Sequence, residues 1–182
     1  MLVIAVVGHP SSGKDTVAEY LHTKGFAYIS SSDRIRQDMR AVGIETTREN
    51  MNTFSIEMRR QRGFGYPADE IAREVSNNSI ISGFRNTAEI KLFKDTFGDR
   101  FILIALDVPQ SIRFERAKER GRIGDDVSLE QFRHIEEKER AGSNFHEVGR
   151  VIAMADYTIQ NDGAKENLFV KIEEILRKHL PD

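Results

Sequence analysis

The sequence predicts a three-layer α/β/α domain built on a five-stranded parallel sheet. Five apolar segments of strand length alternate with segments of helical periodicity along the 182 residues, the order expected of a doubly wound domain. One of them, at 100–108, is a nearly continuous apolar run, which indicates a strand buried on both faces. A glycine-rich turn follows the first apolar segment and leads directly into a helix. Together these observations favour parallel strands joined by helical crossovers.

The predicted elements follow one another without an evident linker or repeat. Strands are predicted at 2–7, 26–30, 79–84, 100–108 and 156–162. Helices are predicted at 13–25, 31–43, 86–97, 110–122 and 164–180, with longer helical regions at 47–76 (broken near its middle) and 121–155. In such a fold the ligand binds at the carboxyl ends of the strands. We therefore expect one domain over 1–182, with a helical segment at about 32–76 and a lid at about 120–148 covering that site.

Composition narrows the classes of function. A net charge of −2 with 31% charged residues is typical of a soluble globular protein and argues against general nucleic-acid binding, which needs a basic excess. The chain has no cysteine, so thiolate metal sites and cysteine nucleophiles are excluded. Because its apolar start is short and lacks a basic leader, we expect a cytoplasmic protein without a membrane span. The oligomeric state stays open.

The turn after the first strand matches the phosphate-loop pattern G-x-x-x-x-G-K. The residues expected to cradle the phosphates are Gly8, His9, Pro10, Ser11, Ser12, Gly13, Lys14, Asp15 and Thr16. The two glycines allow successive N–H groups to point inward, and the helix N-terminus adds its dipole. Lys14 is expected to reach the β- and γ-phosphates. The motif predicts a P-loop NTPase fold that binds ATP.

Asp15 occupies the position at which a phosphate loop normally has a magnesium-binding serine or threonine. A carboxylate there repels the nucleotide unless a cation lies between them, and carboxylate oxygens suit Mg²⁺. We therefore expect Asp15 to hold Mg²⁺, directly or through water, and Thr16 to contact the α-phosphate. The alternative is a degraded motif, but both glycines and Lys14 are retained.

Two further stretches resemble nucleoside monophosphate kinases of the adenylate kinase type. "ISSSDRIR" at 29–36 resembles the family's I-S-T-G-D-x-x-R, and "SGFR" at 82–85 resembles its D-G-F-P-R. The resemblance implies that Arg36 and Arg85 hold the phosphate of an acceptor nucleotide, and that Asp33 supports the acceptor or the magnesium water shell. It also assigns substrate contacts to Gly83 and Phe84.

One departure from that family links two positions. The family has an aspartate where this chain has Ser82, and a hydroxyl where this chain has Asp15. Both positions lie beside the metal in phosphate-loop sites. We therefore hypothesise an exchange that keeps one acid and one hydroxyl around Mg²⁺.

Arginines dominate the predicted lid. The stretch 108–126 resembles the family's V-P-x-x-x-x-x-R-x-x-x-R, which leads into the lid. The resemblance assigns Arg116 and Arg120 to the ATP phosphates and the transferred group, where cations are what phosphoryl transfer needs. Arg122 follows as a substrate-binding candidate. A charged helix face exposed to solvent is the alternative.

Two other segments bear on the ligands. "ADYTIQNDG" at 155–163 resembles dephospho-coenzyme A kinases, which implies that Asn161, Asp162 and Gly163 border the adenine; a plain turn is the alternative. The segment 52–74 resembles a largely archaeal family of P-loop kinase-like proteins. Its Arg59 is a candidate acceptor contact or part of a solvated face. Its apolar residues form either core or a wall for an acceptor base: Phe54, Met58, Phe64 and Tyr66.

The leading hypothesis is a kinase that moves the γ-phosphate of ATP–Mg²⁺ to a nucleoside or deoxynucleoside monophosphate. Such an acceptor brings an ionised phosphate oxygen and requires no general base. A dephospho-coenzyme A kinase is one alternative, and the resemblance at 155–163 favours it. Its acceptor is a hydroxyl group that requires a general base, for which Asp33 is the candidate. A nucleotide-binding regulatory ATPase is the alternative from another class.

Overall fold

The five strands form a single parallel sheet in the order β2-β3-β1-β4-β5. The computed structural model describes residues 1–121, 128–141 and 147–180. The strands are β1 (Val3–Val7), β2 (Ala27–Ser30), β3 (Ser79–Ser82), β4 (Phe101–Asp107) and β5 (Tyr157–Gln160). Every predicted strand is present, and the strand that leads into the phosphate loop lies at the centre. The predicted three-layer α/β/α fold with a five-stranded parallel sheet is confirmed.

Helices connect the strands and cover both faces of the sheet. They are α1 (Lys14–Thr23), α2 (Ser31–Ala41), α3 (Arg48–Arg62), α4 (Ala68–Glu74), α5 (Thr87–Phe97), α6 (Gln110–Arg120), α7 (Leu129–Ala141), α8 (Val148–Ala153) and α9 (Lys165–His179). The helical region predicted at 47–76 is two helices, because Gly63 ends α3 with φ 98° and Pro67 precedes α4. Among the described residues, no helix has the length and apolarity needed to cross a membrane.

The core is divided by the sheet into two layers. Residues alternate along each strand, so that Ile4 packs with Val17 of α1 and Ile172 of α9, while Ala5 faces the opposite layer. That second layer is rich in phenylalanine. The ring of Phe93 in α5 contacts three others, with centroids at 4.9 Å from Phe84, 5.2 Å from Phe97 and 5.4 Å from Phe101.

A third, smaller cluster joins α2 to α3. Ile35, Met39 and Tyr66 are buried there, and Phe54 and Met58 pack against them. Phe54, Met58 and Tyr66 therefore belong to the hydrophobic core and do not form an open wall for an acceptor base. Phe64 differs, since 47% of it is exposed.

Candidate active site

The phosphate loop connects β1 to α1 and closes around the side chain of Lys14. Its Nζ donates to the carbonyl oxygens of Gly8 at 3.0 Å and His9 at 2.8 Å. Gly13 caps α1 with φ 96°, a left-handed conformation that favours glycine, and Ser11 also has a positive φ of 60°. The ammonium group thus lies across the turn whose backbone is expected to surround the phosphates.

The pKa of Lys14 is lowered mainly by burial, and charges of both signs act on it. Burial lowers this pKa from 10.5 to about 8, with Asp15 acting in the opposite direction. Three guanidinium groups lie close enough to lower it further, those of Arg85, Arg113 and Arg120. The charges of arginines from the loop after β3 and from α6 therefore act on the lysine. A polyanion bound here would relieve the repulsion among these cations.

Three serine hydroxyl groups are buried in the phosphate loop and at the start of α2. Ser12 is fully buried, and its Oγ has no hydrogen-bond partner among the residues described. The Oγ of Ser11 in the phosphate loop and the Oγ of Ser31 at the start of α2 are also buried without a hydrogen-bond partner among the residues described. Each is a donor that a ligand oxygen could satisfy.

Asn161 ties the end of β5 to the phosphate loop. Its Nδ2 donates to the carbonyl oxygen of Ser12 at 2.8 Å, and the residue is 6% exposed. A Cβ added at Gly13 would lie 2.5 Å from the same Nδ2, so the side chain fills the space that a larger residue would need. Asp162 and Gly163 follow on the exposed surface. Asn161 therefore shapes the loop, and contacts of the three residues with adenine stay a prediction.

The two loops predicted to bind the acceptor meet at Gly83. A Cβ at Gly83, where φ is 95°, would approach Cβ of Ser31 to 3.2 Å. On α2, Arg36 pairs with Asp33 at 2.6 Å, and both side chains are exposed. Arg85 is exposed as well. The structure thus brings together the N-terminus of α2 and the loop after β3.

Two of the predicted substrate-binding residues are buried instead. Phe84 is 4% exposed and packs on Phe93, so it supports the loop from the core and offers no open surface. The side chain of Arg59 is 3% exposed, with Nε donating to the carbonyl of Tyr66 and Nη2 at 3.4 Å from Glu89. Arg59 therefore belongs neither to a solvated face nor to an open acceptor surface. Its ion-pair partner, 30 residues away in the sequence, explains the burial.

Helix α6, which the sequence predicts to lead into a lid, contains one arginine that sequence reasoning missed. Arg116 is half-buried and Arg120 is exposed, while Arg122 lies outside the described residues. Arg113 is buried, donates from Nε to the carbonyl of Val108, and forms an ion pair with Glu136 of α7. The signal was available, because positions 113, 116 and 120 share one helix face.

The proposed metal position has oxygen donors of the right kind. Asp15 is in the first turn of α1. Ser82 ends β3 on the face that packs against α1, and its Oγ lies 2.8 Å from the hydroxyl of Tyr28. Among the described residues there is no cluster of three or more acidic, histidine or cysteine side chains able to hold a metal. One carboxylate and a hydroxyl suit Mg²⁺, which is usually bound by one or two protein oxygens together with phosphates and water.

Comparison with known proteins identifies the families to which this chain belongs. Residues 4–141 match the family described as AAA domain, so the chain belongs to that family. The "UPF0200 protein" of Thermococcus onnurineus is 34% identical over all of both chains, which places this chain in the UPF0200 family as well. The "UPF0200/UPF0201 protein" of Archaeoglobus fulgidus is 35% identical over 98% of this chain, which spans 56% of that longer relative.

Solved structures share the fold at low identity. Shikimate kinase from Acinetobacter baumannii in complex with shikimate superposes with a TM-score of 0.64 at 19% identity, over 100% of this chain and 96% of that one. YorR protein from Bacillus subtilis, in complex with phosphorylated GDP, gives 0.57 at 15% identity over 99% of each chain. These structures show the fold alone, and the predicted P-loop kinase fold is thereby confirmed.

Proposed function

We propose that this protein transfers the γ-phosphate of ATP to a nucleoside or deoxynucleoside monophosphate. The observation that carries the proposal is the closing of the phosphate loop around Lys14, with the charges of Arg85, Arg113 and Arg120 acting on that lysine from two elements. Arg85 belongs to the loop that meets α2, whereas the other two belong to the lid-leading helix. A cationic centre approached from both sides suits a reaction in which charge develops between two phosphate groups.

In the proposed reaction an acceptor phosphate oxygen forms a bond to the γ-phosphorus. The bond from that phosphorus to the β,γ-bridging oxygen breaks, and the electron pair leaves with ADP. Lys14 is assigned to the β- and γ-phosphates, and Arg116 and Arg120 to the transferred group. Arg36 and Arg85 are assigned to the acceptor phosphate. Because this phosphate is already ionised near pH 7, no side chain has to remove a proton.

Mg²⁺ is assigned to Asp15, directly or through water, with Ser82 nearby. When bound, it neutralises charge on the β- and γ-phosphate oxygens. The carboxylate of Asp15 opposes the lowering of the Lys14 pKa, which indicates that the two side chains are close. The retention of Gly8, Gly13 and Lys14 supports the proposal that the altered motif is functional.

A hydroxyl acceptor is the second candidate. The Asp33 side chain is 66% exposed and is oriented by its ion pair with Arg36, which would suit a general base beside a bound acceptor. Dephospho-coenzyme A is the acceptor suggested by the resemblance at 155–163. Shikimate is another hydroxyl compound to include, because a protein of the same fold is bound to it.

The test is an assay of ATP consumption with each acceptor in turn. The panel contains all ribo- and deoxynucleoside monophosphates, dephospho-coenzyme A, shikimate and a reaction without acceptor. We expect turnover with at least one monophosphate and product that carries one more phosphate. Turnover with only a hydroxyl compound would replace the first candidate by the second, and acceptor-independent hydrolysis would favour a regulatory ATPase. The cytoplasmic location, the single-domain layout and the lid at 120–148 stay predictions.

A further inference from the structure

The main chain of Arg85 is held on both sides by glutamate residues. Its N–H donates to Oε2 of Glu89 at 2.7 Å, and its carbonyl oxygen accepts from the N–H of Glu147 at 2.6 Å. Glu147 precedes α8 and also accepts a hydrogen bond from the hydroxyl of Thr87 at 2.8 Å. A residue on an exposed loop is thus fixed through both of its backbone polar groups.

Glu89 is fully buried although it carries an ionisable group. Burial raises the pKa of Glu89, and both neighbouring backbone N–H groups and Arg59 act in the opposite direction. Its Oε2 accepts from the N–H groups of both Arg85 and Asn86, at 2.7 and 2.8 Å. Its Oε1 is left to face Arg59 of α3. The carboxylate therefore joins two parts of the chain, the loop after β3 and the end of α3.

Arg59 has surroundings that argue against a purely stabilising role. It is buried with Glu89, and its Nη1 has no hydrogen-bond partner among the residues described. Replacing buried ion pairs by apolar residues is often neutral or stabilising, because burial removes hydration from both charges. A buried arginine with one donor unpaired among the described residues stabilises the contact between α3 and α5 less than apolar packing would.

A helix cap alone does not account for this arrangement. Asn86 and Glu89 form a capping box at the start of α5, which explains why the N–H of Asn86 donates to the carboxylate of Glu89. A capping box requires neither the bond to Arg85 nor an ion pair with another helix. The first of these contacts leads to Arg85, which the proposed function assigns to the acceptor phosphate, and the second leads to Arg59 of α3.

We infer that Glu89 and Arg59 are positioning residues for Arg85, which fix its backbone so that its guanidinium group faces a phosphate at the acceptor site. The inference rests on the proposed function for the role of Arg85. Arg59 orients the carboxylate from α3, and the carboxylate fixes the N–H of Arg85. A shift of α3 would thereby change the position of Arg85 beside the phosphate loop.

The test uses inorganic phosphate as a probe of the acceptor site. The phosphate loop is first occupied by a non-hydrolysable ATP analogue with Mg²⁺, and phosphate affinity is then measured by calorimetry. Wild type, Arg85→Ala, Glu89→Gln and the double variant form a thermodynamic cycle. We expect each single variant to lose about tenfold in phosphate affinity, because a charge-assisted contact is lost or misplaced. The double variant should lose no more than Arg85→Ala alone.

Several outcomes would overturn the inference. They are losses that multiply in the double variant, an equal loss of affinity for the ATP analogue in Glu89→Gln, and phosphate binding that is absent or independent of Arg85. If Glu89→Gln does not fold, Arg59→Met with Glu89→Gln removes the ion pair as a unit and takes its place in the cycle. Asp95→Asn is the control, since Asp95 pairs with Lys91 on the exposed surface of α5. Turnover in the acceptor panel is read separately, so failure of the proposed function is distinguishable from failure of this positioning role.

Discussion

Asn161 donates a hydrogen bond from Nδ2 to the carbonyl oxygen of Ser12 at 2.8 Å, and this bond connects the end of the last strand to the phosphate loop. The backbone N–H of Asn161 in turn donates to the carbonyl of Asp107 at 2.9 Å, which fixes the residue to β4. Both Asn161 and Ser12 are buried. The shape of the loop therefore depends on a residue 149 positions away in the sequence.

Replacing Asn161 should therefore weaken nucleotide binding through the loop. Asn161→Leu removes the donor and leaves the Ser12 carbonyl buried without it, which costs about 1–3 kcal/mol of folding free energy. We expect affinity for ADP–Mg²⁺ to fall about tenfold, since 1.4 kcal/mol of lost preorganisation has that effect. Urea unfolding and calorimetry measure the two quantities. Gln160→Ala, at an exposed neighbouring position, is the control, and equal behaviour of both variants would contradict the prediction.

Nucleotide affinity should decrease as the pH rises through the pKa of Lys14. This pKa is about 8 in the free protein, against an ordinary value of 10.5, and phosphate binds the charged ammonium. Above pH 7 the phosphates of ADP are fully ionised, so a change there reports on the protein. We expect affinity for ADP–Mg²⁺ to fall towards tenfold per pH unit above about pH 8. A flat profile between pH 7 and 9.5, or the same slope in Lys14→Met, would disprove this.

The stability of the free protein should respond in the opposite direction. Between pH 8 and 10.5 the unfolded chain holds more protons on Lys14 than the folded chain, because the folded pKa is lowered. The contribution of Lys14 to stability therefore rises with pH across this window and is lost as the pH falls through about 8. Comparing wild type with Lys14→Met in urea at several pH values isolates this contribution.

Local motifs could be predicted from the sequence because contiguous residues determine their geometry. The phosphate loop depends on Gly8, Gly13 and Lys14, all within one turn, and the alternation of strands and helices depends on local apolar patterns. The burial of Arg59 and Arg113 could not be predicted in this way. Their partners lie 30 and 23 residues away, and an arginine on a helix looks the same whether or not a carboxylate covers it.

Phe84 illustrates the same limit for an apolar residue. The motif around Gly83 predicts a loop after the third strand, and the loop is present and meets the N-terminus of α2. The direction of the Phe84 ring depends on Phe93, which belongs to the next helix. Motif matching transfers a role to a position, whereas packing between elements decides which way the side chain points.

The exchange of acid and hydroxyl between Asp15 and Ser82 makes a reciprocal prediction. Asp15→Ala should lose metal-dependent turnover, because the carboxylate beside the phosphate loop is removed. Asp15→Ser combined with Ser82→Asp should recover part of it, since one acid and one hydroxyl are restored in the opposite arrangement. Initial rates over a Mg²⁺ titration measure the effect. Full activity in Asp15→Ala would refute the exchange, and Tyr28→Phe tests whether the hydroxyl that contacts Ser82 contributes.

The ion pair between Arg113 and Glu136 should matter far more for stability than an exposed pair on the same surface. The two side chains are 4% and 5% exposed, and Gln110 donates to the same carboxylate at 2.7 Å. Glu136→Ala leaves a buried guanidinium uncompensated beside the cationic site, which we expect to cost about 3–5 kcal/mol in urea unfolding. Lys91→Ala breaks the exposed Lys91–Asp95 pair and should cost less than about 0.5 kcal/mol.

Arg113→Met with Glu136→Leu removes both charges and should recover most of the stability, because the penalty in Glu136→Ala comes from the unpaired cation. Equal losses in the single and double variants would show that packing between α6 and α7, and not charge, holds the two helices together.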